Sequence, residues 1–146
     1  MTRFYDLDAA NDRLPELREI LGALRDQRAE LIRLRDQVLE RQEAVEAGGG
    51  RVVEGPPDSD DTASDDELRL IRLRMQGVID QMQAGVARID ALGITLREIE
   101  SGLIDFPALV SGRQVCLCWR LGEDDVEWWH EMTSGFSGRR PLIDLA

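Results

Sequence analysis

The sequence predicts a mainly α fold: a long antiparallel helical hairpin followed by a small C-terminal β-hairpin and a short helix. Two long stretches repeat apolar residues at alternating steps of three and four, which is the period of a helix seam. A stretch rich in Gly, Pro, Ser and Asp separates them, and the pattern changes to period two after Gly102. With 146 residues the chain fits one domain.

Helix one is predicted over about residues 12–46. Pro15 must lie near its start, because a proline deeper inside a helix clashes with the carbonyl group four residues earlier. The helix therefore begins near Asp12, or a short helix from about Asp8 precedes a kink at Pro15.

Helix two is predicted over about residues 65–101, where only Gly85 interrupts the apolar seam. Ser64 and Glu67 have the spacing of a capping box, which predicts where this helix begins. Each helix would contain roughly 35 residues and extend about 50 Å at 1.5 Å per residue.

Residues 47–64 are predicted to form a flexible acidic loop at the tip of the hairpin. Residues 102–146 form a predicted cap of strands and a short helix. Its strands are "LIDFP" and "RQVCLCWRL", with the turn residues "SG" between them. "GEDDVEWWHEM" is predicted as the short helix, since acids favour a first helical turn and apolar residues recur at steps of three.

Four segments resemble one known family. They are "LDAANDRLPELREIL" at the start of the hairpin, then "GLIDFP", "LCWRLGE" and "WH" in the cap. Together they are similar to the prokaryotic family catalogued as domain of unknown function 2203, over nearly the whole chain. The resemblance implies the same fold, and it implies no activity, because none is assigned to the family.

The charge balance excludes some partners. The chain has 29 acidic and 18 basic residues, a formal net charge of -11. Nucleic acid and anionic membranes are bound through clustered positive charge, so neither is an expected partner. The N-terminus has no apolar leader and no apolar run is long enough for a membrane span, so we expect a soluble, cytoplasmic protein without a cofactor.

No metal site is assigned to the cysteines and the single histidine. Cys116 and Cys118 lie two apart in the second predicted strand, so their side chains share one face, and both are expected to be small buried hydrophobes with reduced thiols. The alternative is a zinc site, because with His130 and a carboxylate such as Glu131 they have the right donor types, although zinc sites usually contain a Cys-x-x-Cys spacing.

A candidate surface for a ligand or partner lies in the cap. The arginines and the glycine-rich "SGFSG" could surround a small anion, or Arg120 could pair with Glu123 or Asp105 for structural reasons alone. His130 could act as a general base, but no nucleophile is evident beside it, so no catalytic residue is assigned. The surface comprises Arg120, Glu123, Trp128, His130, Arg139 and Arg140.

The expected function is that of a homo-oligomeric interaction or scaffold module with a coiled-coil-like hairpin. The alternatives are a protein that binds a small anionic ligand between cap and hairpin, and a metal-dependent or hydrolase-like enzyme. Nine apolar residues outside the helix seams need a cover, which a two-fold dimer with a four-helix bundle would supply. They are Ile20, Ile32, Leu34, Leu39, Leu70, Leu73, Ile79, Val86 and Ile94.

Overall fold

The computed structural model describes residues 3–48 and 59–145. Within these residues the chain forms three helices, two of them long, and one five-stranded antiparallel sheet. In chain order the elements are α1 (Leu7–Asp12), α2 (Leu14–Gly48), α3 (Ser59–Ala91), β1 (Thr95–Glu98), β2 (Leu103–Val110), β3 (Arg113–Arg120), β4 (Trp128–Glu131) and β5 (Arg140–Pro141), with 3₁₀ turns at Phe136–Gly138 and Leu142–Leu145.

The chain divides into two compact units. The described residues among 1–26 and 83–146 form what we call the sheet unit, and those among 27–82 form the helical unit. The sheet unit contains α1, the sheet, the start of α2 and the end of α3. The helical unit contains the remaining parts of the two long helices.

The chain enters α2 through a short preceding helix. The Asp6 side chain accepts a hydrogen bond of 2.7 Å from the amide of Ala9, which caps α1. Arg13 separates α1 from α2, and Pro15 lies in the first turn of α2. The interpretation with a short helix before Pro15 is therefore confirmed.

The predicted bounds of helix two are wrong at both ends. α3 begins at Ser59, so the predicted capping box lies within a helix that is already under way. It ends at Ala91, because Gly93 takes a left-handed φ of 74° and its amide donates to the carbonyl of Asp90. The apolar spacing predicted for helix two continues beyond Ala91, but Leu96, which belongs to that spacing, lies in β1. Within the predicted tip loop, residues 49–58 lie outside the described part of the chain.

The predicted fold class is also wrong, since the C-terminal region forms a five-stranded sheet and not a small β-hairpin with a short helix. The strand order is β1-β2-β3-β4-β5, and every neighbouring pair is antiparallel. The segment predicted as the short helix contains β4, in which Trp129 pairs with Leu117 and His130 pairs with Cys116. Pairing with β3 thus overrides a local pattern that suited a helix.

The β2–β3 pairing and its turn agree with the sequence prediction, but β2 continues beyond the predicted strand, through Pro107 to Val110. Ser111 and Gly112 have φ values of 52° and 78°, which is the two-residue turn that matches the twist of paired strands. The turn sets the register from Val110 opposite Arg113 to Leu103 opposite Arg120.

The sheet unit has its core on both faces of the sheet. On one face, Phe106 contacts Tyr5 with 5.2 Å between ring centroids, and the guanidinium of Arg18 in α2 lies 5.7 Å from the Trp119 ring. The opposite face contains Asp105, Cys116, Cys118 and His130, which are all buried. Because this face buries the polar side chains of Asp105 and His130, it contains the candidate site.

Candidate functional site

The strand register brings four polar or sulfur-containing residues onto one sheet face. Asp105 of β2 lies opposite Cys118 of β3, and Cys116 of β3 lies opposite His130 of β4. Residues directly opposite each other in antiparallel strands share a face, and so do residues two apart in one strand. The four side chains therefore lie together at the centre of the sheet.

His130 makes a hydrogen bond with each ring nitrogen. Nε2 lies 2.8 Å from Oδ1 of Asp105, and Nδ1 lies 2.7 Å from the backbone carbonyl oxygen of Glu131. A carbonyl oxygen only accepts, so Nδ1 carries a proton and donates it. One further proton is shared between Nε2 and Oδ1. Both side chains are enclosed, with exposed fractions of 1% for His130 and 3% for Asp105.

Asp105 also pairs with an arginine. Its other oxygen, Oδ2, accepts a hydrogen bond of 2.6 Å from Nε of Arg97 in β1. The hydrogen bond to Asp105 is the main cause of a raised pKa at Arg97. Oδ1 of Asp105 is therefore hydrogen-bonded to His130, and Oδ2 is hydrogen-bonded to the cationic side chain of Arg97. A buried carboxylate requires such partners, because an unpaired buried charge is strongly destabilising.

The two thiols are protonated at neutral pH. Burial is the main cause of a raised pKa at Cys116, and the neighbouring Asp105 raises it further. Burial and Asp105 raise the pKa of Cys118 to about 12. A thiol is a poor nucleophile until it ionises, so this environment disfavours thiol catalysis. Both cysteines are free and buried, which is consistent with the prediction of reduced thiols.

Three of these residues bring possible metal-ligand atoms close together. One ligand atom each from Asp105, Cys116 and His130 lies within 4.8 Å of the other two, and all three residues are buried. The predicted ligand Cys118 does not belong to this group. The side chain of Glu131, the other predicted ligand, points elsewhere and pairs with Arg113 at 2.5 Å.

The predicted anion-binding arginines are occupied by other groups. Nη2 of Arg139 lies 2.6 Å from Glu123, and its guanidinium lies 5.1 Å from the Trp128 ring and 4.8 Å from the Phe136 ring. Glu123 also accepts a hydrogen bond of 2.7 Å from the backbone amide of Arg120. An anion at Arg139 would have to compete with Glu123, which already balances its charge.

Of the remaining arginines of this surface, Arg120 lies beside the Glu123–Arg139 pair, whereas Arg140 lies apart from it. The side chain of Arg120 is exposed and its guanidinium lies 5.5 Å from the Phe136 ring, so the predicted pairing of a buried Arg120 with a carboxylate is wrong. Arg140 lies opposite Trp129, on the face away from His130, and its guanidinium is 5.6 Å from that ring. The surface therefore divides between the two faces of the sheet.

Sequence reasoning missed Asp105 as the partner of His130. Half of the signal was available, because a two-residue turn at Ser111 and Gly112 places Asp105 opposite Cys118 by counting along both strands. The position of His130 depends on the pairing of β4 with β3, and the β4 segment was predicted as a helix. Arg97 could not be found in this way, since the apolar period assigned it to the interior of helix two.

Comparisons with known proteins identify the family. The family model described as "Uncharacterized conserved protein (DUF2203)" matches residues 3–142, so the chain belongs to this family, as its motifs predicted. The family has no characterised function. No curated protein and no solved structure matched the chain. Among the described helices, none combines the length and the apolar character needed to cross a membrane.

Proposed function

We propose that the protein is a homo-oligomeric interaction module and that its helical unit binds a second copy of the chain. The main support is a shallow, open apolar groove whose described lining residues all belong to α3. Leu70 and Leu73 line this groove, with exposed fractions of 57% and 70%. Adjacent exposed leucines on a helix are typical of a surface that another helix covers.

The helical unit covers little apolar surface by itself. Its buried apolar side chains, among those described, are Leu34 and Ile71, whereas Leu39 is also exposed. Two helices bury only one stripe of each other, and helices gain most of their stability from such packing. A second copy would therefore stabilise this unit more than any other part of the chain.

Fewer apolar residues of the predicted dimer surface are exposed than the sequence indicated. Ile20, Leu34 and Ile94 are buried within the chain, and Ile32, Ile79 and Val86 are half-buried. The exposed members of the predicted set are Leu39, Leu70 and Leu73, with exposed fractions of 47%, 57% and 70%.

The groove carries charges of both signs, which suits a surface that faces a second copy of itself. Asp66, Arg69 and Arg72 line the groove. Asp66 of one copy can therefore pair with an arginine of the other, which opposes the repulsion between two chains that each have a charge of -11. In a two-fold dimer the same patch faces itself, and the leucines of both copies bury one another.

The expected interaction is weak and depends on concentration. Four leucines, two from each copy, would contribute roughly 6–12 kcal/mol at about 1.5–3 kcal/mol for each fully buried side chain. Association costs about 4–15 kcal/mol in lost freedom of motion, which offsets most of this gain. We also propose a cytoplasmic location, which the two unbridged cysteines support.

Size exclusion with light scattering over a range of concentrations tests the dimer. The mass should approach twice the 16.5 kDa chain mass as concentration rises. The double variant Leu70→Ser with Leu73→Ser should remain monomeric. The matched control is Leu109→Ser, which changes a leucine of the sheet unit that is 51% exposed and should leave the dimer intact. A wild-type mass that stays at 16.5 kDa at every concentration would contradict the proposal.

A further inference from the structure

Asp105, Cys116 and His130 form a buried cluster that the proposed dimer does not use. We propose that this cluster binds a divalent ion of the zinc type. Its donor atoms are a carboxylate oxygen, a thiol sulfur and an imidazole nitrogen, all within 4.8 Å of one another. Zinc prefers this combination, whereas calcium and magnesium take oxygen ligands.

His130 is already oriented as a metal ligand. Its Nδ1 donates to the carbonyl oxygen of Glu131, so the nitrogen that faces Asp105 is Nε2. Histidines that bind metals almost always donate their other ring N–H to a carbonyl or carboxylate group, which fixes the ring and its tautomer. Because the acceptor here is a backbone atom of β4, the strand itself holds the ring in place.

Metal binding exchanges protons for the ion. Cys116 binds as a thiolate after its S–H proton leaves, and the proton shared between Nε2 and Oδ1 leaves as well. Both protons go to solvent. The thiolate and the Asp105 carboxylate together balance the two positive charges of the ion. Arg97 keeps its hydrogen bond to Oδ2 and thus orients the carboxylate from outside the site.

Two partly exposed side chains contact the cluster. Arg97, with 45% of its side chain exposed, contacts Asp105. Met132 is 47% exposed, and its Sδ lies 3.5 Å from Sγ of Cys116. An ion would have to enter past one of these two long side chains.

Cobalt titration of the full chain, purified with chelator and reductant, tests the site. Co²⁺ serves as the first probe because a cobalt–thiolate bond gives a charge-transfer absorption band, and Zn²⁺ serves as the competitor. The wild-type chain should bind one Co²⁺ with this band, and Zn²⁺ should remove the band. Cys116→Ser should abolish it. Cys118→Ser is the matched control, because Cys118 lies on the same strand face but outside the cluster, and this variant should retain the band.

A second variant keeps the test independent of the sulfur. Asp105→Asn should lower the Zn²⁺ affinity by at least about tenfold, the scale of loss seen for changes around metal ligands. Circular dichroism should confirm that each variant folds. Absence of the band in the wild-type chain would overturn the proposal, as would a band that persists in Cys116→Ser. Failure of the dimer would leave the result unaffected, since the cluster lies wholly within the sheet unit.

Discussion

The sheet unit and the helical unit differ in how much apolar surface they bury. The sheet unit encloses large side chains such as Trp119 and Phe106, together with the polar residues Asp105 and His130. The helical unit buries only Leu34 and Ile71 among its described apolar side chains. Both units also expose apolar side chains, which are Leu39, Leu70 and Leu73 in the helical unit and Phe4, Leu7, Leu109, Met132, Phe136 and Ile143 in the sheet unit. The same chain therefore contains one unit with an extensive core and one with a small core.

The difference follows from the geometry of the elements. A sheet has two faces, and in the sheet unit both are covered, so five successive residues of β3 from Val115 to Trp119 are buried. Two helices contact each other along one stripe each, which leaves their outer sides to solvent. An apolar residue in the sheet unit is thus more often buried than one in the helical unit, and it then contributes more to stability.

The largest expected loss of stability comes from breaking the buried pair in the sheet unit. Asp105→Ala leaves His130 and Arg97 without their carboxylate, so the free energy of unfolding should fall by about 3–5 kcal/mol. Urea denaturation measures this loss. Asp144→Ala, at an exposed position, is the control and should change the value by no more than about 0.5 kcal/mol. Equal effects of the two changes would mean that the pair contributes nothing.

The next comparison uses one leucine from each unit. Leu21→Ala removes a fully buried side chain of α2, and the expected loss is about 2–5 kcal/mol. Leu73→Ala should change the stability of the dilute monomer by no more than about 0.5 kcal/mol, because this side chain is mostly exposed. Thermal or urea denaturation at low concentration distinguishes them. A large loss of stability for Leu73→Ala in the monomer would show that Leu73 already packs against other residues of the same chain.

Two glycines with left-handed backbone offer a finer comparison within the sheet unit. At Gly102, with φ 67°, an added Cβ would lie 2.5 Å from Cβ of Leu121. Gly102→Ala should therefore cost about 2–4 kcal/mol, through backbone strain and overpacking. Gly112, with φ 78°, faces open space, so Gly112→Ala should cost only about 1–2 kcal/mol. Similar losses in denaturation experiments would contradict the tight contact at Leu121.

The smallest expected effect concerns an ion pair in the helical unit. Arg41 of α2 pairs with Glu67 of α3, and both side chains are substantially exposed. Water and salt screen such a pair, so Glu67→Gln should lower the free energy of unfolding by no more than about 1 kcal/mol. A loss well above this value would mean that the two helices depend on charge pairing and not on apolar contact.

The sequence predicted the parts of this fold that depend on local signals. The two long helices and the hairpin turn at Ser111 and Gly112 follow from period and turn chemistry. The geometry of Pro15 allowed the short helix as one of two interpretations, but the start of the helical region was placed near Asp12. The end of α3 did not follow, because Leu96 and Ile99 continue a helical period into β1 and the following residues. β4 did not follow either, since its pairing with β3 is a contact between segments distant in sequence.

The candidate site was predictable only in part. The sequence drew attention to Cys116 and His130 as scarce residue types in one segment, and the β2–β3 register would have added Asp105. The sequence could not exclude Cys118 from the cluster, because strand alternation places both cysteines on the same face. Side-chain distances were needed to separate the cysteine of the cluster from its neighbour.

Hydrogen exchange at two protein concentrations tests most directly whether the helical unit alone depends on a second copy. A partner that binds only the folded form adds protection that disappears on dilution. Amides of α3 around Leu70 and Leu73 should therefore exchange faster in the dilute sample, while amides of β2 and β3 should exchange at the same rate in both. The proposal would be contradicted if the exchange rates of the α3 amides stayed the same at every protein concentration. It would also be contradicted if only amides of the sheet changed their rates.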